Sequence, residues 1–123
     1  MLTRDQILGA QDRASEVVPV PEWQGDVTVT VMSGAERDAF LVSLQSDKSV
    51  SFFEAALVAA TVVDEHGNKL FGPDDVPALQ AKNAAIVARV AAAAFRLNGL
   101  GPEAVEKAEK NSESGPNSAS PSA

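Results

Sequence analysis

The sequence predicts an α+β protein: an N-terminal β-hairpin or extended arm packed on a small bundle of about four helices, followed by a disordered C-terminal tail. Three observations carry that prediction. Residues 26–32 alternate strictly between valine and polar residues until Met32, behind a segment straightened by Pro19 and Pro21. From Ser33 to Leu97 the apolar residues instead recur at helical spacing, punctuated by helix-start and helix-stop residues. Beyond Lys110 the chain is Ser, Pro, Asn, Gly and Ala with one Glu, a composition that cannot offset its own ordering entropy.

Thr3-Arg4-Asp5-Gln6 has the form of a capping box and opens a short helix through Ile7 and Leu8 that stops at Gly9. Glu16 to Trp23 is extended, and its prolines confine it to a sheet edge or an arm. Gln24-Gly25 turns the chain into the strand Asp26–Met32, with Val27, Val29 and Val31 on one face. A second capping box, Ser33-Gly34-Ala35-Glu36, begins a helix to about Gln45 with Phe40, Leu41 and Leu44 as its core stripe. A third, Ser51-Phe52-Phe53-Glu54, begins a helix to about Val63 that is apolar nearly all round.

Asp64-Glu65-His66-Gly67-Asn68 reads as a tight turn returning through Lys69-Leu70-Phe71, and Gly72-Pro73-Asp74-Asp75 as the start of a short helix. Asn83 caps a last long helix, Ala84 to Leu97, which Gly99 and Leu100 close. Pro102 starts one more, Glu103 to about Lys110. The expected organisation is a single domain over 1–110 and a tail over 111–123. Trp23, Val29, Phe40, Leu57 and Val90 are expected in one core.

Composition excludes several functions. The chain has 123 residues, no cysteine and a formal net charge of −7. Disulfide scaffolds, thiolate chemistry and zinc sites built on cysteine therefore fall away. The acidic balance argues against nucleic acid or an anionic membrane as partner. Charge is uneven: residues 76–102 carry Lys82, Arg89 and Arg96 with no acid. A solvated face balancing acidic neighbours explains them, and a DNA-contacting helix is the competing use. No apolar run approaches membrane-spanning length, and the start has no signal-peptide core, so a soluble, cytoplasmic protein is expected.

Catalysis has no foothold in the sequence, and the chain reads as a non-enzyme. His66 is the single histidine and sits beside a glycine in a turn. A calcium loop counted from Asp64 fails at Lys69 and Asp75. No nucleophile elbow, phosphate loop or dinucleotide fingerprint is present, and no cofactor or metal is expected. What remains is protein binding. Trp23 is either a core anchor under the hairpin or an exposed partner contact. The 52–63 helix, with Phe52, Phe53 and Leu57, is either the central helix or one side of a groove for an apolar peptide or helix. If the core cannot cover it, a partner or a second copy of the chain would.

Taken in order, Leu2–Leu8, Val17–Trp23, Val27–Val29 leading into Ser33–Phe40, Val63–Phe71 and Phe95–Leu100 resemble the siphophage tail assembly chaperones, over residues 2–100. The resemblance implies a small protein encoded ahead of the tape-measure protein, which holds that long helical protein soluble until tail-tube subunits polymerise around it. It implies no catalytic residues. The family also makes a longer, frameshifted form in many cases. The competing reading is a small structural component of a phage particle, a head–tail connector or tail-completion protein.

Overall fold

The computed structural model describes residues 1–100. The helix expected over 103–110 and the tail over 111–123 lie outside the described residues. Thr3 opens α1 (Arg4–Gly9) through the expected capping box: its hydroxyl accepts the Gln6 N–H at 3.2 Å, and the Gln6 side chain accepts the Thr3 N–H at 3.0 Å. No residue of α1 is buried.

β1 (Ser15–Val20) and β2 (Gly25–Thr30) form the predicted hairpin, joined by a 3-10 turn over Pro21–Trp23. Its turn ends on Gln24, at a left-handed φ of 63°. Ser15 pairs with Thr30 and Val20 with Gly25, so Val18, Val20, Val27 and Val29 share the inner face. Thr28 and Thr30 face the other way, as the alternation predicts.

Three regions differ from the sequence reading. The first is Pro21–Trp23, which was expected to be extended and instead forms the 3-10 turn, because Pro21 fixes a helical φ at its first position. Helix α2 (Gly34–Ser43) starts at its capping box on Ser33, but α3 (Val50–Thr61) is capped by Ser49 rather than Ser51. The Ser49 hydroxyl accepts the Phe52 N–H, and Asp47 in turn accepts the Ser49 N–H. The helix also stops at Thr61 instead of Val63. Val62 is extended, and Val62–Val63 form a third strand, β3, antiparallel to β2. Three consecutive β-branched residues favour that switch, and the free edge of β2 supplies partners. The sheet order is β1-β2-β3. After the Asp64–Asn68 turn, Leu70 donates its N–H back to Val62.

A 3-10 turn over Pro73–Asp75 leads into α4 (Val76–Gln80), and Asn83 caps α5 (Ala84–Leu97) by accepting the Ala85 N–H at 2.9 Å. α5 ends in a Schellman motif. Gly99 takes φ 65°, with Gly99 donating to Arg96 O and Leu100 to Phe95 O.

The core is the inner hairpin face closed by α3 and α5. Val29, Phe40, Leu57 and Val90 are buried as expected, but Trp23 is 36% exposed. Its place in the hairpin's terminal turn carries the indole past the edge of the core. Leu41 is also exposed, because α2 presents only Phe40 and Leu44 inward. Less of the 52–63 helix is left uncovered than expected: Ala55–Ala59 and Thr61 are buried, while Phe52, Phe53 and Ala60 are half-buried. α3 is the central helix, packed on α5, α4, α2 and the sheet.

Two arginines fasten α5 to the hairpin. Arg89 makes a bidentate pair with Glu22 at 2.7 Å, and Arg96 reaches Glu16 at 2.9 Å. Their seven-residue spacing returns both to one helix face, where these acids, not phosphates, occupy them. The hydrogen bonds from Arg89 hold the Glu22 carboxyl down at about 2, against an ordinary value of 4.5. A depressed folded-state value means that the pair stabilises fully above the ordinary carboxylate range and loses its effect as pH falls toward 2. Glu22→Gln is therefore expected to lower the thermal midpoint by a constant amount from pH 7 to about 5, with the gap to the parent closing below about 4. A gap that closes between pH 7 and 6 would assign the effect to another group.

Candidate functional site: an apolar groove between α2, α3 and α4

α2 leaves the sheet at Ser33 and crosses the N-terminal half of α3, while Phe71 to Gln80 returns along the other side of α3. Between these walls lies an open groove of about 830 Å³. Ala35, Ala39 and Phe40 line it from α2, Phe52, Ala56, Ala59 and Ala60 from α3, and Phe71, Pro73, Val76 and Pro77 from the opposite wall. The alanines keep the floor low, so an incoming side chain can approach the helices closely. The charged residues of the lining are Glu36, Asp47 and Lys69.

Glu36 organises one end. Its carboxylate accepts the Ser33 N–H at 2.9 Å and an Arg13 N–H at 2.9 Å, and lies 3.6 Å from the Lys69 ammonium. Burial pushes its carboxyl up, but the Ser33 N–H and the charges of Lys69 and Arg13 more than offset this and leave it below the usual range. It stays an anion, tying the N-terminal linker, the start of α2 and the return from β3 together. At the far end Gln80 donates to the Ser51 hydroxyl at 3.1 Å.

The four candidate contact residues separate. Phe52 lines the groove. Phe53, one residue on, turns to the other side, with ring centroids 5.7 Å from Phe40 and 5.9 Å from Phe95. It joins three helices rather than the groove. Leu57 has no exposed surface and offers a partner nothing. Trp23 is accessible, but on the hairpin turn and outside the groove lining. The alanines of α2 and the Phe71–Pro77 wall were not singled out from the sequence. Ala35 and Ala39, one helical turn apart on the same face of α2, were the available signal.

Elsewhere the polar residues have structural work. Asp64 accepts the N–H groups of Asn68 and His66 and closes the turn, which lowers its carboxyl pKa. His66 is exposed, 3.5 Å from Glu65. Among the described residues no three His, Cys, Asp or Glu side chains are grouped to hold a metal, and no helix is long and apolar enough to cross a membrane.

The fold, a three-stranded antiparallel sheet packed on a central apolar helix and the long helix α5, is similar to that of a solved structure. The tail assembly chaperone of bacteriophage HK97 superposes with a TM-score of 0.59 over 76% of this chain and 94% of that one, at 20% sequence identity. The chain has the fold of a phage tail assembly chaperone. No family model matches the sequence, and no curated protein is similar to it in sequence. The likeness is one of tertiary structure, at the level of this tail-chaperone fold.

Proposed function

We propose that this protein is a phage tail assembly chaperone, which binds apolar helical segments of the tape-measure protein and keeps that protein from aggregating in the host cytoplasm while the tail assembles. The observation that carries this reading is the groove, an open apolar trough with Phe52 on one wall, on a fold shared with a chaperone of that kind. A groove between two helices suits an amphipathic helix, whose side chains at i, i+3/i+4 and i+7 enter it in a row. Each Leu- or Phe-sized side chain moved out of water there contributes about 1.5–3 kcal/mol. The net charge of −7 keeps loaded complexes apart by repulsion.

Co-expression with the tape-measure protein tests it. The client is expected to become soluble and co-purify with this chain. Ala39→Arg puts a charge in the groove at a position exposed on α2, so the fold survives. It should weaken binding by about tenfold or more, since one unpaired polar group at an apolar contact costs upwards of 1.4 kcal/mol. Phe52→Asp should act in the same direction. A client equally soluble alone would end the chaperone reading. Retention of this chain in finished particles would put the structural-component reading in its place.

A further inference from the structure

We propose that α1, which stands clear of the groove in this structure, is a strap poised to close over the groove of its own chain in competition with a client. The helix has six residues and none of them is buried. Helices of that length are marginal in water and persist when an apolar side is covered. α1 has such a side. Leu2 precedes the cap at Thr3 and Ile7 is the fourth helical residue, the two positions of a hydrophobic staple, and Leu8 adjoins them. All three are more than half exposed.

The tether ends at the groove. Arg13 donates to Glu36, a lining residue, at 2.9 Å, and the Ala14 carbonyl accepts the Val31 N–H at 3.1 Å. Only Ala10 to Arg13 separate α1 from that anchor, a span of roughly 13 Å at full extension. This short leash gives the apolar side of α1 a high effective concentration at the groove. The Arg4–Asp5 pair on its outer surface is fully solvated and does not hold the helix in place. A client would then displace a tethered competitor, and its release would be assisted by the strap's return. Closure of the strap concerns only this chain's groove and helix, whereas its competition with a client rests on the chaperone reading.

The chain has no cysteine, so a designed disulfide reads the contact directly. Ile7→Cys combined with Ala39→Cys, both at exposed positions, is oxidised under mild conditions in the full-length protein. The expected product is a monomer with an internal disulfide, formed several-fold faster than in a control that pairs Ile7→Cys with Ala92→Cys on the exposed side of α5. Adding Leu8→Asp to the first pair should slow the reaction to the control rate. A covalent dimer would show that α1 seats in a second copy and would overturn the strap, as would equal rates in the two pairs.

Discussion

Truncating Leu57 to alanine is expected to lower the stability of the protein by about 2–5 kcal/mol and leave any client contact of the remaining folded molecules unchanged. Leu57 sits at the middle of α3 with no surface in contact with water. The surrounding core is built from small side chains, with Ala55, Ala56, Ala59, Ala91 and Ala94 among them. Small neighbours cannot swing into a hole, so the cavity left by the isobutyl group stays open and its cost adds to the lost transfer energy. The thermal midpoint should fall by at least about 8 °C. A loss below about 1 kcal/mol would show that the helices collapse onto the vacancy. The contrast with Ala39→Arg is the informative part: Leu57→Ala should change stability and not affinity, and Ala39→Arg should do the reverse.

Asn98→Leu is expected to be nearly as damaging, although it exchanges side chains of similar size at the end of a helix. The Asn98 side chain joins α5 to the exit of β2. Its Oδ1 accepts the Met32 N–H at 2.7 Å, and its Nδ2 donates to Thr30 O at 3.3 Å and Ala94 O at 2.9 Å. Met32 and Thr30 are partly buried, so the leucine variant leaves a backbone donor and a backbone acceptor short of partners. Each such group costs about 1–3 kcal/mol. Hydrogen exchange at Met32 should accelerate more than at core amides of α3, since the opening is local. Asn98→Asp discriminates further. It can still accept from Met32, but places a carboxylate against the carbonyls of Thr30 and Ala94 at the negative end of α5. It should therefore be destabilised as well. If both variants melt with the parent, the tie between α5 and β2 contributes nothing measurable.

Asn98 also shows where sequence reasoning stops. Its place before Gly99 marked the end of a helix correctly, yet nothing in the sequence indicated that its amide serves a strand sixty-eight residues away. Helix ends at Thr3, Ser33, Asn83 and Gly99 were legible because a cap is a bargain between residues three or four apart. The hairpin was legible because a period of two survives no other backbone. The errors share a cause. Ser51 and Ser49 both precede apolar helical residues, and the choice between them fell to Asp47, which orients the Ser49 N–H. Val62 and Val63 continue an apolar run and became a strand because β2 had a free edge at that point.

The site divides in the same way. Phe52 was recognised as a large apolar residue on a helix of small ones. Its neighbours Phe53 and Leu57 could not be told from it, since one residue of rotation separates the groove from the core. Residue types and local spacing by themselves determined an acidic α+β chain with a hairpin and helices capped at Thr3, Ser33 and Asn83. Tertiary structure alone decided that α3 is the central helix with its middle buried, that Trp23 stays partly in water, that Arg89 and Arg96 clamp the hairpin, and that the unfilled apolar space lies over α3 between α2 and α4. Those outcomes depend on which distant surfaces meet, and burial is a property of the meeting rather than of either sequence segment.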